Sequence, residues 1–288
     1  MIRSMTGFAR VELQQGPISL RWELRSVNHR YLDASLRLPD SLRPHEAELR
    51  GAIAGHVGRG KLDASLHLSA DAADAGALQL NLEVARQVIK VGERVAGELQ
   101  SAAPIDPLSV LRWPGVLEAE EPETEALLPI VRKALDQAIG ELCDARAREG
   151  EKISAMLESR CTEILQLVTE VRARLPQVLV DIRARLLDRI QALDLTPDQE
   201  RLEQELALLA QKMDVSEELD RLEAHVAEVR TTLAQSEPVG RRLDFLMQEL
   251  NREANTLASK SADKETTRQS VDLKVIIEQM REQVQNVE

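Results

Sequence analysis

The segment Asp214-Val215-Ser216-Glu217-Glu218-Leu219-Asp220-Arg221-Leu222-Glu223-Ala224-His225 places Asp214, Glu218, Arg221 and His225 at intervals of four, three and four. In a helix all four side chains fall on one face. Two carboxylates and an imidazole on one face can bind a divalent cation, with an Arg set for a phosphate. Helices rich in Glu and Arg also produce such faces by chance, and an i,i+4 pair such as Glu217–Arg221 stabilises a helix with no further role. His225 is the only histidine after position 67, which makes it the natural acid–base group of this half. Glu249 and Glu253 form a second i,i+4 carboxylate pair around Arg252. If the two helices pack together, Glu218, His225, Glu249 and Glu253 can converge on one metal. Otherwise Glu249 and Glu253 pair with Arg242, Arg252 or a neighbouring subunit.

Residues 240–261 carry two faces at helical spacing. Leu243, Leu246, Met247, Leu250, Ala254 and Leu257 make an apolar stripe, and Arg241, Asp244, Gln248, Arg252, Asn255 and Ser259 make a polar one. A purely solvating face is mostly Lys and Glu. This one mixes groups with directional hydrogen bonds, as a surface that holds a ligand does. At the N-terminus, Arg3, Arg25, His29, Arg30 and Lys61 form either a basic rim or charges that protect a sheet edge. The chain has no P-loop, GxSxG, HExxH or CxxC, so nucleotide hydrolysis, serine acyl transfer and zinc-protease chemistry lack their signatures.

The elements that position these residues follow from periodicity. Residues 2–13 and 18–27 read as strands around a turn at Gln14-Gln15-Gly16-Pro17, with Leu20, Trp22 and Leu24 alternating against Arg21, Glu23 and Arg25. Tyr31–Leu38 is a third strand, residues 43–57 a helix, and Leu62, Ala64, Leu66 and Leu68 mark a fourth strand. Asn81 opens a helix that runs to about Leu99. The order β-β-β-α-β-α is an α+β domain. Pro104, Pro107, Pro114 and Pro122, with five carboxylates between Glu118 and Glu125, indicate an irregular acidic connector. From 127 onward the pattern is helical. The seam Ile153, Leu157, Cys161, Ile164, Val168, Val171, Leu175, Leu179, Ile182, Leu186 and Ile190 is coiled-coil-like. It implies a helix on the order of 60 Å long, bent at Pro176, that needs an antiparallel neighbour or another subunit. Thr196-Pro197-Asp198-Gln199 marks a fresh helix start, Thr196 capping and Pro197 first. The expected division is 1–126, an α+β domain with its connector; 127–195, a helical arm; and 196–288, a helical domain with the site.

Five aromatics in 288 residues argue against base-stacking sheets. A net charge of −12 argues against a general nucleic-acid coat, although residues 1–70 hold ten Lys and Arg against seven Asp and Glu. Cys143 and Cys161 have neither disulfide nor zinc spacing and read as buried thiols in a reducing compartment. Arg3, Arg10 and Glu12 interrupt any signal peptide, and no apolar run approaches the roughly 20 residues of a membrane span. A cytoplasmic protein with no membrane association is expected.

The opening MIRSMTGFAR, RSVNHRYLDASLRLP at 25–39, RWPGV at 112–116, RLEQELALLAQKMDVSEELDRLEAH at 201–225 and GRRLDFLMQELNREANTLASKS at 240–261 resemble, in order and over the whole chain, the YicC family of bacterial proteins. The resemblance implies a metal-dependent endoribonuclease for single-stranded RNA, including small regulatory RNAs. It also implies a hexamer that encloses the RNA and contact with other RNA-degradation proteins. Carried onto this chain, it implies that Asp214, Glu218, Glu249 and Glu253 hold one or two Mg²⁺ or Mn²⁺ ions, with Glu218, His225, Glu249 and Glu253 as the catalytic group. Arg221, Arg241, Arg242, Arg252, Asn255 and Lys260, with Arg3, Arg25, His29, Arg30 and Lys61, would hold RNA. Two RNA-handling alternatives and one structural alternative stay open. In one the RNA 2′-OH attacks its own phosphate, with His225 or His29 as base. In the other the protein is a non-catalytic clamp that presents RNA to a separate nuclease; a purely structural assembly factor would show no salt-dependent RNA affinity.

Overall fold

Alternating side chains in the N-terminal third build a four-stranded sheet, here seen in a computed structural model. The structure describes residues 2–15, 18–70, 79–99, 103–118, 124–192, 198–235 and 237–288. Strands β1 (Gly7–Gln15), β2 (Ile18–Val27) and β3 (Leu32–Arg37) are followed by a 3-10 turn (Asp40–His45), helix α1 (Glu46–Ala54) and strand β4 (Gly60–Ala70). The sheet order is β1-β2-β4-β3, antiparallel except that β3 runs parallel to β4. Period-two alternation sends Ala9, Val11, Leu20, Trp22, Leu24, Leu62, Ala64 and Leu66 to one buried face. The other face stays open and is laced by ion pairs such as Arg21–Glu12 at 2.8 Å. After it come β5 (Gln79–Leu80), α2 (Leu82–Gly97), α3 (Pro107–Leu111) and β6 (Leu117–Glu118). Asn81 caps α2 by accepting from Val84 N–H at 3.2 Å. The stretch expected as an irregular connector therefore contains a short helix, started by the Asp106 carboxylate, which accepts from Leu108 and Ser109 N–H. The turn residues 16–17, most of the acidic run and the 193–197 segment lie outside the described residues.

Helix α4 (Thr124–Gln191) is 68 residues long and passes through Pro129 and Pro176. At 1.5 Å per residue it extends about 100 Å, well beyond the length expected from its seam. Its first turns lay Val131, Ala134, Leu135, Ala138, Ile139 and Leu142 on the buried sheet face. The indole N–H of Trp22 donates to Val131 O at 3.1 Å, which satisfies the one polar atom of a fully buried side chain. A division at 126/127 thus does not separate two cores, because the sheet takes its cover from α4. Three helices, α6 (Ser216–Leu233), α7 (Gly240–Lys260) and α8 (Lys264–Val284), then fold back on the middle of α4. Ile153, Leu157, Cys161, Ile164, Val168 and Val171 are buried against Leu219, Leu222, Val226, Leu273, Ile277 and Met280. The seam, expected to need an antiparallel neighbour or another subunit, is covered within the chain as far as Leu175. Beyond it, α4 is flanked by α5 (Gln199–Lys212), and Leu179 and Val180 are exposed. Asp198, rather than Thr196, caps α5, accepting from Glu200 and Arg201 N–H at 3.1 and 3.3 Å.

Both termini meet at α4. Arg146, 2% exposed, donates from Nε to Ser4 O at 2.5 Å and from Nη2 to Glu288 Oε2 at 2.9 Å and to Arg59 O at 3.5 Å. Ser4 N–H donates to Arg146 O at 3.0 Å, Met5 N–H to Asn286 O at 2.7 Å and Glu288 N–H to Arg3 O at 2.9 Å. Val239 N–H, at the α6–α7 turn, donates to Glu288 O at 3.3 Å. Burial lowers the Arg146 pKa, and the Glu288 carboxylate opposes that shift. Close approach is possible only at glycine: a methyl on Gly150 would overlap Ile2 O, and one on Gly240 would overlap Val287 O.

These contacts fix two expected outcomes in urea unfolding. Gly150→Ala and Gly240→Ala should each cost about 2–3 kcal/mol, whereas Gly140→Ala, in α4 with open space around it, should raise stability by roughly 0.5–1 kcal/mol. Equal effects at all three positions would contradict the close packing of the termini. Asp263 caps α8 through Thr266 N–H at 3.2 Å and pairs with Arg174. The Arg174 hydrogen bond, then the Thr266 N–H, holds its carboxyl below the ordinary value. A depressed carboxylate stabilises above its unfolded pKa and loses that contribution as pH falls through the folded pKa. Asp263→Ala should therefore cost about 1–2 kcal/mol at neutral pH, and the gap to wild type should close only below about pH 4.

Candidate active site on the α6–α7 seam

Helices α6 and α7 follow one another closely in the chain, and Gly240 lets α7 start against the backbone of Val287. Their facing edges carry four successive polar contacts. At the far end Lys260 Nζ donates to Glu218 Oε1 at 2.8 Å and to Asp214 O at 2.9 Å. Next, Arg221 reaches Glu253 Oε1 at 3.4 Å while also pairing with Glu217. Then come His225, Glu249 and Glu253, each offering one ligand atom, with these atoms all within 4.8 Å of one another. Nearest the turn, Arg242 pairs with Glu228. Of the residues spaced four, three and four along 214–225, Glu218, Arg221 and His225 reach side chains of α7.

The residues read as one ligand set thus fall into separate places. His225, Glu249 and Glu253 come together. Glu253 is 3% exposed, and the other two are half-buried. Glu218, also buried, stands further along with Lys260, and its second oxygen has no hydrogen-bond partner among the described residues. Asp214 is exposed and accepts from Ser216 N–H at 3.0 Å. That hydrogen bond holds the Asp214 carboxyl below its ordinary value. Its carboxylate therefore serves the start of α6, outside the three-ligand group, for the physical reason that a free helix N–H is the nearer donor. Burial pushes the Cys161 thiol up to about 11, which keeps it protonated and without use as a nucleophile.

Of the groups expected to hold RNA, Arg221, Arg252 and Lys260 border the seam, whereas Arg242 is engaged with Glu228. Arg252 comes only within 3.9 Å of Glu249 and is 71% exposed at its side chain. Arg241 and Asn255 lie on the outer face of α7. Arg3, Arg25, His29, Arg30 and Lys61 are all exposed on the N-terminal part. Arg3 lines a cavity beside the joined termini with His56 and Glu237. Arg25 lies on the open sheet face opposite Asp63, Arg30 covers Tyr31 at 5.2 Å, and His29 Nδ1 is 3.0 Å from Tyr31 O. None of the five touches the His225 group. Arg146 escaped the sequence reading because its neighbours come from both chain ends. An Arg four residues from both Leu142 and Gly150 was its only trace.

Glu218 is charged, buried and half-satisfied by Lys260, so the pair should behave as a unit. Lys260→Met should cost about 3 kcal/mol by stranding the carboxylate. The double variant Lys260→Met/Glu218→Leu should recover most of that loss in the same urea titration. Additive losses would show that the two side chains do not depend on one another.

Residues 171–288 match the family described as "Endoribonuclease YicC-like, C-terminal", and residues 2–155 match "Endoribonuclease YicC-like, N-terminal region". The chain is 44% identical over its full 288 residues to a protein of Haemophilus influenzae named "Probable endoribonuclease YicC", the whole of which is covered. It is 32% identical, again over the whole of both chains, to a protein of the same name from Clostridioides difficile. One family region ends and the other begins within α4, the helix that carries both cores, and the C-terminal region holds every residue of the seam. The chain belongs to the YicC-like endoribonuclease family.

Proposed function

We propose that the protein is a cation-assisted endoribonuclease whose reaction centre is His225, Glu249 and Glu253. The observation that carries this reading is the convergence of one imidazole and two carboxylates from two helices within 4.8 Å. Such a nitrogen–oxygen set fits a divalent cation. The imidazole favours Mn²⁺ over Mg²⁺, which prefers oxygen alone. A bound cation supplies positive charge at the phosphoryl oxygens and makes a water easier to deprotonate. Glu253, held by Arg221, is a fixed ligand. His225 and Glu249 are more open and can exchange a proton with solvent or with an attacking or leaving oxygen. Arg221 and Arg252 flank the group and can hold the phosphates on either side of the cut.

Single-stranded RNA, including small regulatory RNA, is the proposed substrate, and the cytoplasm the proposed compartment. Among the described residues no helix is long and apolar enough to cross a membrane. A homo-oligomer, hexameric by the family resemblance, is proposed as well. Its support is the α2–α3 face, where Leu82, Val91, Val95, Leu108 and Trp113 are all more than half exposed. A contiguous apolar surface of that kind is the mark of a protein contact. The Arg221–Glu253 pair favours one rival, a clamp that grips RNA without cutting it, because a carboxylate already neutralised by Arg needs no cation.

The test incubates wild type, His225→Ala and Glu253→Gln, purified alike, with end-labelled single-stranded RNA in Mn²⁺, Mg²⁺ or EDTA. Cleavage should fall by about 10²–10⁴-fold in both variants. Mn²⁺ should raise the melting temperature of wild type but of neither variant. Products should end in 5′-phosphate; 2′,3′-cyclic ends would mark attack by the RNA 2′-OH instead. Cutting at the wild-type rate by both variants would leave the clamp as the reading.

A further inference from the structure

The chain has five aromatic residues, and four of them are on its surface. Phe8, Tyr31, Trp113 and Phe245 are each more than half exposed, and only Trp22 is buried. An exposed aromatic loses the burial that would otherwise stabilise it, so its surroundings indicate what it serves. Trp113 belongs to the apolar α2–α3 face. Tyr31 is covered by the Arg30 guanidinium. Phe8 lies on the ion-paired open face of the sheet, opposite Arg25. Phe245 is different in kind. It is the one large apolar side chain of α7 outside the buried stripe of Leu243, Leu246, Met247, Leu250 and Leu257, and it is 57% exposed.

Phe245 shares its face with Arg241, Gln248, Arg252 and Asn255, at spacings of four, three, four and three. All five are exposed. At 100° per residue this line runs beside the Glu249–Glu253 edge, with Phe245 one turn, about 6 Å, before Glu249. Arg241 has no ion-pair partner among the described residues, and Arg252 has only the loose one at 3.9 Å. A flat π face between two exposed guanidinium groups, bordered by amides, one of which holds the neighbouring Asp244 carboxylate at 3.0 Å, is the chemistry that takes an unstacked base with its flanking phosphates. Duplex RNA offers no free base face, so such a surface discriminates by strandedness rather than by sequence.

We propose that Phe245 is a stacking platform for one base of single-stranded RNA, with Arg241 and Arg252 gripping the adjacent phosphates, so that the strand is led along α7 to His225, Glu249 and Glu253. This rests on the RNA-cleaving reading of the site and gives it a contact that selects single strands. Phe245 binds and orients the substrate. It takes no part in proton transfer.

Binding in EDTA separates this contact from cleavage. A labelled oligoribonucleotide of about a dozen nucleotides, single-stranded or annealed to its complement, is titrated with the full-length protein. Phe245→Ala and Phe245→Leu should both bind the single strand about 5- to 100-fold more weakly, while Phe245→Tyr keeps wild-type affinity. Duplex affinity should change little in any of them. In Phe245→Trp/Trp113→Phe, the indole at 245 should be quenched as the single strand binds. Arg252→Ala should weaken binding and lower the salt slope by about one. Wild-type affinity in Phe245→Ala, or rescue by Phe245→Leu, overturns the platform and leaves RNA binding intact. A change in sedimenting mass in Phe245→Ala assigns the side chain to a contact between subunits and likewise overturns it. If wild type binds no single strand, the platform and the RNA reading fall together.

Discussion

The guanidinium of Arg146 is the interaction on which the rest depends. It is a buried charge in a long helix, and a buried charge is tolerated only when it is paired and hydrogen-bonded. Its acceptors are Ser4 O, Arg59 O and the Glu288 carboxylate, which come from the first strand's lead-in, the approach to β4 and the last residue of the chain. Satisfying one side chain therefore locks three distant segments against α4. The backbone bonds from Met5 to Asn286 and from Glu288 to Arg3 close the same ring. This arrangement explains why α4 can serve two cores. The sheet is tied to its first half and the helical bundle to its second, and the tie between them is polar, directional and intolerant of a shift.

That tie reaches the site through Val239 and Gly240. Val239 donates to Glu288 O, and Gly240 packs on Val287 O, so the first turn of α7 is set by the C-terminus. With that end held, the register between α6 and α7 is fixed by their apolar partners, Leu222, Val226 and Val229 against Leu243, Met247 and Leu250. A slip of one residue on α7 would rotate Glu249 and Glu253 by about 100° and take them away from His225. Placing three ligand atoms within 4.8 Å needs that kind of precision, which loops do not offer.

Local patterns were read well from sequence because their causes are local. Strand β2, the Asn81 cap and the apolar stripes of α4 and α7 all follow from spacing alone, whereas spacing offered the meeting of the two polar helix faces only as a condition. Distance along the chain hid the rest. Nothing near Arg146 in sequence says that residues 4 and 288 will meet it. The α4 seam left an antiparallel neighbour and another subunit both open, because a stripe shows that it needs cover without showing which residues supply it; α6 and α8, from the same chain, do so. Asp214 shared a face with Glu218 and His225, yet helix starts compete for carboxylates, and the Ser216 N–H was nearer than any cation site. Phe245 was legible in principle, since it breaks the apolar spacing of α7 and keeps the polar one.

The acidic net charge has the same resolution, since −12 is a sum over the chain and a phosphate responds to what lies within about a Debye length. Along the seam each carboxylate has a cationic partner: Glu218 with Lys260, Glu253 with Arg221, Glu249 with Arg252, Glu228 with Arg242. Helix α7 itself carries four cations against three carboxylates. A polyanion approaching its outer face meets Arg241 and Arg252, with Asp244 between them engaged by the Gln248 amide. A dication held by His225, Glu249 and Glu253 would neutralise two carboxylates, leave Arg221 and Arg252 in excess, and turn a balanced seam locally positive. Cation binding and phosphate binding at this seam would then be coupled through charge alone, each strengthening the other by the same factor.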